Sequence, residues 1–100
     1  MRTRISNRLF REELGDHLRS LRHERRERLA DTAQRAGISP QYLSEIERGL
    51  KDPSSEMLEA VAGALDRSVA DVAVEVGLRL RVPATTQPTA SARGLYALAA

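Results

Sequence analysis

The side chains best able to do chemistry are few in this 100-residue chain, and their spacing argues against catalysis. His17 and His23 lie six residues apart, about 120° from each other around a helix, so they could not bind one metal ion together. Each is predicted to be a solvated helix residue. Glu12 and Glu13 are adjacent and point to different sides. With no cysteine, no glycine-rich phosphate loop and no nucleophile elbow, the sequence predicts neither an enzyme nor a metal or other cofactor site.

The composition indicates one small globular domain. Hydrophobic residues make up 41% and charged residues 30%, values typical of folded rather than disordered chains. The longest apolar run, residues 60–65, is far shorter than the ~20 residues that cross a bilayer, and no signal peptide is recognisable. We therefore expect a cytoplasmic protein that has no membrane partner.

Charge is distributed unevenly along the chain. Residues 1–50 contain 11 Arg or Lys against 8 Asp or Glu, whereas residues 51–100 contain 5 against 6. A basic first half is compatible with binding nucleic acid, and equally with an arginine-rich solvated surface. The 3% of aromatic residues is too low for the base-stacking surfaces of single-strand binders. Composition alone therefore leaves the partner open.

Apolar periodicity predicts an all-α chain. Four apolar residues recur at helical spacing within a first predicted helix over residues 7–26, namely Phe10, Leu14, Leu18 and Leu21. Gly15 interrupts this helix at a cost of up to ~1 kcal/mol relative to alanine, so another segment is expected to pack closely there. No segment alternates with the two-residue period of a half-buried strand.

Two short helices separated by a glycine follow. Residues 29–36 are predicted helical and end at Gly37, which suits the left-handed conformation that often closes a helix. Ser39-Pro40 is typical of an N-cap and first helical residue, and the helix that it begins runs to about residue 48. Leu43 and Ile46 supply its buried side. Two short helices joined by a tight turn with a glycine form a helix-turn-helix unit.

Two further helices complete the predicted domain. A fourth follows Asp52-Pro53-Ser54-Ser55, with Leu58, Val61, Ala62 and Leu65 inward, and a fifth follows Ser68, with an apolar stripe of Val69, Val72, Ala73 and Val76. Beyond residue 82 the chain is too polar and too rich in proline to pack. We therefore predict a flexible basic arm at residues 1–6, a helical domain at residues 7–80 and a disordered tail at residues 81–100.

The motifs between positions 14 and 65 are specific in type and order. They read Leu14-Gly15-x-x-Leu18-Arg19-x-Leu21-Arg22, Leu29-Ala-x-x-Ala33-x-x-Ala36-Gly37-Ile38-Ser39, Tyr42-Leu43-Ser44-x-Ile46-Glu47-Arg48-Gly49, and Pro53-Ser54 before Leu58-x-x-Val61-Ala62-x-Ala64-Leu65. Over about half of the chain this pattern resembles the phage-repressor-like (Cro/XRE) family of DNA-binding domains. The resemblance implies a five-helix domain whose third helix lies in the major groove of double-stranded DNA.

The resemblance, combined with the buried side of the third helix, predicts the residues that contact DNA. Those predicted to read bases are Gln41, Tyr42, Ser44 and Glu45. Those predicted to contact phosphates are Arg28, Ser39, Arg48, Lys51 and Ser54. For Glu45 and Lys51 the alternative is an ordinary solvated charge.

Two positions carry structural expectations from the same resemblance. Glu47 is expected to pair with Arg22 of the first helix and to brace the third helix, so both residues are assigned to structure and not to DNA. The second helix departs from the family pattern because Arg28 and Leu29 stand where a capping Ser or Thr and a polar residue are usual. Arg28 is left to contact phosphate through its charge, and Thr32 is expected to loosen the packing of that helix.

A dimer is predicted through the fifth helix. The apolar residues assigned to its interface are Val69, Val72, Val76 and Leu80. A symmetric pair would place two recognition helices about 34 Å apart, matching a pseudo-palindromic operator. The alternative is that the same valines only close the core of one chain.

Within this family, residues 42–49 and 51–58 are most similar to the actinobacterial regulators of Clp protease genes. The resemblance implies an activator of Clp-type protease genes, with RNA polymerase as a further partner. Tyr96-Ala-Leu-Ala-Ala100 also resembles the end of the peptide tag that Clp unfoldases recognise on stalled nascent chains. Leu98, Ala99 and Ala100 are therefore predicted to act as a degron, the alternative being an apolar terminus without function.

Two other functions are compatible with this fold. An antitoxin that autoregulates the operon of a toxin–antitoxin pair could share this fold and size, and its tail would order on the toxin. The second is a domain that binds only proteins. It would not bind DNA, or its DNA binding would not change when Gln41 or Arg48 is replaced with alanine. Binding of a promoter fragment by the purified chain, weakening steeply with salt, would favour the regulator.

Overall fold

A computed structural model describes residues 8–81, which form five α-helices and no strand. In chain order these are α1 (Phe10–Glu24), α2 (Leu29–Ala36), α3 (Pro40–Glu47), α4 (Ser55–Ala64) and α5 (Val69–Arg81). The predicted all-α class with a central helix-turn-helix is confirmed. The predicted arm and nearly all of the predicted tail lie outside the described residues, although Arg81, assigned to the tail, is the last residue of α5.

Serine side chains fix the starts of the last three helices. The hydroxyls of Ser39, Ser54 and Ser68 each accept the backbone N–H three residues later, at 3.0, 3.1 and 3.0 Å. α2 lacks such a side chain, as predicted. At its start the Asp31 carboxylate instead accepts the N–H of Arg28 at 3.1 Å, which satisfies the residue before the helix rather than its first turn.

Left-handed residues close four of the helices, with Gly49 (φ of +77°) after α3. Gly37 follows α2 with φ of +76°, as its position predicts. Arg26 follows α1 with φ of +57° and Asp66 follows α4 with φ of +60°, each at a backbone cost of about 1–2 kcal/mol for a residue other than glycine. Arg26 also explains why α1 ends before the predicted position. The Asp66 carboxylate accepts a 2.7 Å hydrogen bond from Arg25, which links the ends of α1 and α4.

One apolar core lies among the five helices. Its members are each at most 4% exposed: Leu14, Leu18, Leu21, Ala33, Leu43, Ile46, Val61, Ala62, Leu65, Val72 and Val76. Phe10, predicted as the first member of the α1 stripe, is instead 46% exposed. α1 begins at this residue, because the Glu12 carboxylate accepts the N–H of Leu9 at 3.0 Å. Phe10 therefore lies at the open end of the stripe.

Glu27 ties the turn after α1 to α2. Its carboxylate accepts hydrogen bonds from Arg35, Thr32 and Arg25 at 2.6, 2.6 and 3.0 Å. These bonds, that of Arg35 above all, lower the pKa of Glu27 to about 2. Thr32 is 1% exposed and its hydroxyl is satisfied by this carboxylate, so the predicted loosening of α2 at Thr32 is wrong.

Gly15 allows α1 to lie directly against the backbone at the end of α3. A β-carbon at this position would be 2.6 Å from the carbonyl oxygen of Glu47 and closer still to that of Ile46. Both obstacles are main-chain atoms, which cannot rotate away as a side chain can. The close packing predicted from a glycine inside a helix is therefore confirmed, and it sets the distance between α1 and α3.

A buried ion pair joins the same two helices. Arg22 of α1 donates to both carboxylate oxygens of Glu47, through Nε at 2.7 Å and Nη2 at 2.9 Å, and through Nη1 to the Glu27 carbonyl at 2.9 Å. The side chains are only 10% and 6% exposed. The hydrogen bond to Glu47 raises the pKa of Arg22, which keeps the guanidinium charged. The predicted Arg22–Glu47 pair is thus present, with bidentate geometry that also fixes the rotation of α3.

We expect Gly15→Ala to destabilise the domain by about 1–3 kcal/mol in urea denaturation, because the methyl group would force α1 away from α3. This loss should appear even though alanine favours a helix by about 1 kcal/mol over glycine. Gly63→Ala in α4 is the matched control, since a β-carbon there meets no atom within 4 Å. We expect that variant to be at least as stable as the parent. Equal stability of the two variants would contradict the close contact.

We expect Glu47→Ala to cost about 3–5 kcal/mol of unfolding free energy, because it strands the Arg22 guanidinium in a buried position. Replacing both residues with methionine should cost much less, since no unpaired buried charge remains. Urea denaturation of the single and double variants measures the difference. Arg28→Met, which breaks an exposed pair, should change stability by less than about 1 kcal/mol. A double variant as unstable as Glu47→Ala would refute the bracing role.

Candidate nucleic-acid interface

α3 turns a polar face away from the core. Leu43 and Ile46 are each 1% exposed, so the opposite side of the helix points outward. Gln41, Glu45 and Arg48 follow one another at spacings of four and three residues and therefore share that side. Gln41 and Arg48 are exposed, and Glu45 is half-buried. This face, defined by Gln41, Glu45 and Arg48, is called the outer face of α3 below.

The other two residues predicted to read bases are less accessible. Tyr42 is half-buried and packs against the core, so part of its ring serves the fold. Ser44 is half-buried and lines a pocket that α3 shares with α1 and α2. The structure thus brings Gln41 and Glu45 together on the outer face and places Tyr42 and Ser44 to its sides.

Two of the predicted phosphate ligands already cap helices. The hydroxyls of Ser39 and Ser54 accept backbone N–H groups at the starts of α3 and α4. Accepting uses a lone pair and leaves the O–H proton free to donate, so capping does not exclude a phosphate contact. Lys51 lies in the exposed turn between these two helices. The three residues therefore flank α3, as the sequence predicts.

Arg28 differs from the other predicted phosphate ligands because it has an acidic partner. Its guanidinium lies 3.2 Å from Asp31, and its side chain is 85% exposed. The hydrogen bonds between the two groups raise the pKa of Arg28 and lower that of Asp31. A phosphate at Arg28 would therefore compete with this carboxylate, although an exposed pair of this kind is weak.

Most cations within residues 8–81 are engaged by acidic groups or carbonyl oxygens. The cationic side chains that form no ion pair or hydrogen bond in this part of the chain are Arg19, Arg26, Arg48, Lys51 and Arg81. Arg48 and Lys51 follow α3 directly, and Arg19 borders the pocket beside it. Sequence reasoning missed Arg19. Its position three residues before Arg22, on the same side of α1, is the signal that could have found it.

The pocket lies where α1, α2 and α3 meet and has a volume of about 230 Å³. It is lined by Arg19, Arg22, Leu29, Ser44, Glu47 and Arg48. Arg22 and Glu47 form its buried wall, whereas Arg19 and Arg48 are exposed at its rim. Ser44 and Arg48 connect it with the outer face of α3.

The apolar stripe of α5 packs inside the chain rather than against a partner. Val72 and Val76 are 0% exposed and belong to the core, so their assignment to a dimer interface is wrong. A side chain with no exposed surface cannot contact a second subunit unless the fold opens. Val69 and Leu80 are half-buried, and Val74 on the other side of α5 is 60% exposed.

The histidine prediction is also corrected in part. The His17 side chain is 13% exposed, its Nε2 lies 2.5 Å from Glu75, and its Nδ1 accepts a 3.0 Å hydrogen bond from Arg79. It therefore links α1 to α5 and is not a solvated residue. His23 is exposed as predicted. Among residues 8–81 no cluster of three potential ligands could hold a metal ion. In the same range no helix has the length and apolar character needed to cross a membrane.

Comparison with known proteins agrees with this geometry. A family model described as a helix-turn-helix domain matches residues 13–81. The transcriptional regulator ClgR of Mycobacterium tuberculosis is 43% identical over 72 residues, covering 72% of this chain and 64% of that protein. The immunity repressor protein of Bacillus phage phi105 is 39% identical over 62 residues, covering 62% of this chain and 43% of that protein. The chain therefore aligns with less than two thirds of either relative.

A solved structure is similar over nearly its whole length. The clp gene regulator ClgR from Corynebacterium glutamicum has a TM-score of 0.70 and 45% identity, covering 76% of this chain and 99% of that chain. The three relatives are named as regulators or a repressor and none as an enzyme, in agreement with the sequence prediction. The phage-repressor-like family predicted from the motifs is confirmed. Residues 13–81 of the chain match the family model, and the chain therefore belongs to the helix-turn-helix domain family of transcriptional regulators.

Proposed function

We propose that this chain binds double-stranded DNA in a sequence-specific manner and regulates transcription through that binding. The observation that carries the proposal is the outer face of α3, which points away from the core while its opposite side is held by Leu43, Ile46 and the Arg22–Glu47 pair. A rigid helix with a free polar side is the element that enters a major groove. Arg48 and Lys51 next to it form no ion pair among the described residues and supply the positive charge that DNA phosphates attract.

Gln41 and Glu45 are the residues we assign to base recognition. The amide of Gln41 can form two hydrogen bonds with adenine, and the carboxylate of Glu45 can accept from the amino group of cytosine. Each good contact of this kind discriminates by about 1–3 kcal/mol against the wrong base. Tyr42 contributes its exposed edge. Because Pro40 has no side-chain donor or acceptor, the first turn of α3 offers only apolar contact there.

Backbone positioning is assigned to residues on both sides of α3. The hydroxyls of Ser39 and Ser54 and the cations of Arg48 and Lys51 surround the helix, and Arg28 stands at the start of α2. Contacts of this kind fix the register of a protein on DNA but do not specify sequence. Arg28 is the weakest member of this set because Asp31 competes for its guanidinium.

We further propose that the DNA-binding form is a homodimer assembled through α5. With Val72 and Val76 in the core, the available apolar groups are the exposed Val74 and the partly exposed Val69 and Leu80. Two copies related by a two-fold axis would place their α3 helices about 34 Å apart, one turn of DNA. The operator would then be a pseudo-palindrome with half-sites in successive major grooves.

Clp protease genes are the targets that we propose, with activation as the outcome and RNA polymerase as the partner. The support is the similarity to proteins named ClgR, one of them described as a clp gene regulator. The residues of α3 and the following turn carry that similarity in the sequence, and these residues would select the operator.

Selection of bound sites from a random duplex pool tests DNA recognition directly. We expect a pseudo-palindrome with half-sites one helical turn apart, bound with an affinity that falls linearly on a log–log plot against salt. Gln41→Ala should lose about 1–3 kcal/mol per half-site and relax preference at one base position. The control is Gln34→Ala, which truncates an exposed glutamine of α2. Identical behaviour of the two variants, or no binding by the purified parent chain, would contradict the proposal.

We also propose that the chain is turned over by a Clp unfoldase through Leu98, Ala99 and Ala100, which lie outside the described residues. Such turnover would couple the level of the regulator to the protease that it induces. Appending Asp-Asp after Ala100 should lengthen the half-life in cells after protein synthesis is blocked, because two carboxylates replace the apolar end. Appending Ala-Ala, which preserves that end, is the control. Unchanged turnover of the Asp-Asp variant would rule out the degron.

A further inference from the structure

The pocket between α1, α2 and α3 carries more positive charge than its own acidic group can balance. Its walls contain the guanidiniums of Arg19, Arg22 and Arg48 and the single carboxylate of Glu47. Arg22 and Glu47 satisfy each other through hydrogen bonds of 2.7 and 2.9 Å. Arg19 and Arg48 are therefore left without an acceptor among the described residues.

Ser44 adds an uncharged donor to the same pocket. Its hydroxyl forms no hydrogen bond within residues 8–81, although the residue is half-buried. Two guanidiniums and a free hydroxyl around one space match the oxygens of a phosphate group. A guanidinium can donate two parallel hydrogen bonds to phosphate, and a hydroxyl can donate one more.

The size of the pocket limits what it can enclose. Its volume of about 230 Å³ is below the ~300–1,000 Å³ typical of pockets for small organic ligands. A single phosphate group fits this limit better than a complete nucleotide or coenzyme. Since Ser44 and Arg48 join the pocket to the outer face of α3, a phosphodiester beside that face is the nearest source of such a group.

We propose that this pocket binds one phosphate of the DNA backbone, held by Arg19 and Arg48 with Ser44 as an additional donor. The proposal rests on the proposed function, because it assumes that α3 lies in the major groove. It adds Arg19 to the interface and moves Ser44 from base recognition to backbone positioning. The buried Arg22–Glu47 pair forms the floor of the site and fixes the rotation of α3 relative to α1, which determines where Arg48 lies relative to Arg19.

The experiment replaces each phosphodiester of the selected operator, one at a time, with an uncharged methylphosphonate. One position per half-site should weaken binding of the parent chain by at least about tenfold, as expected for a lost charged hydrogen bond. On unmodified DNA, Arg19→Gln should bind more weakly than the parent chain by a similar factor. A methylphosphonate at that one position should weaken its binding no further. The salt dependence of this variant should fall by about one unit of log–log slope per subunit, with base preference unchanged.

Arg81→Gln is the matched control, because Arg81 is also exposed and forms no ion pair within residues 8–81, but belongs to α5. It should keep the phosphate profile of the parent chain. Arg19→Lys retains the charge without the bidentate donor, so it should restore the salt slope and only part of the affinity. A profile of Arg19→Gln that matches the parent at every phosphate, or a change in its base preference, would overturn the assignment.

Two further outcomes separate the hypotheses. Failure of the parent chain to bind any duplex would overturn the proposed function, and this site with it. Normal binding that is insensitive to Arg19→Gln would overturn the site alone. Titration with inorganic phosphate tests the other source: a saturable shift of the Ser44 amide in nuclear magnetic resonance spectra of the DNA complex, at phosphate concentrations that leave the operator bound, would assign the pocket to free phosphate instead.

Discussion

The placement of α3 depends on its junction with α1, where Gly15 approaches the backbone at the end of α3 and Arg22 pairs with Glu47. Main-chain atoms set the separation of the two helices there, and the bidentate pair of Arg22 and Glu47 sets their relative rotation. Neither constraint alone would suffice. A backbone contact without the pair would let α3 turn about its axis, and the pair without the contact would tolerate a range of separations.

The same junction explains how a short helix can present a defined surface. α3 has only eight residues, a length at which an isolated helix is not stable in water. Its stability comes from the Ser39 cap, the buried Leu43 and Ile46, and the junction with α1. The outer face is therefore held by interactions on the opposite side, and the side chains of Gln41, Glu45 and Arg48 form no hydrogen bond or ion pair within residues 8–81.

Local signals made most of the fold predictable from the sequence. Serine caps, the glycine after α2 and the apolar spacing of α1 act within a few residues, so the sequence displays them directly. The close contact at Gly15 was predictable because glycine destabilises a helix relative to alanine, which indicates that another segment packs too closely for a side chain. The Arg22–Glu47 pair was accessible only through family resemblance, since its members are 25 residues apart.

The errors share a physical cause, which is that periodicity identifies the apolar side of a helix but not what covers it. Val72 and Val76 form a stripe that suits a core or a partner equally, and the fold uses it for the core. His17 shows no local sign of its contacts with Glu75 and Arg79, which come from the distant α5. Arg19 is one arginine among many in the sequence, and only the tertiary structure reveals that it has no acidic partner within residues 8–81.

The pairing of most arginines has a consequence for how such a protein would search a genome. A pI near 9.7 predicts a chain that adheres to any duplex, but within residues 8–81 carboxylates and carbonyl oxygens occupy most of the guanidiniums. Within that range only five cationic side chains remain unengaged, and three of them, Arg19, Arg48 and Lys51, lie beside α3. Weak binding to random sequence, combined with positive charge concentrated beside α3, would increase the ratio of the affinities for correct and incorrect sites. Fewer molecules would then be bound non-specifically along the chromosome.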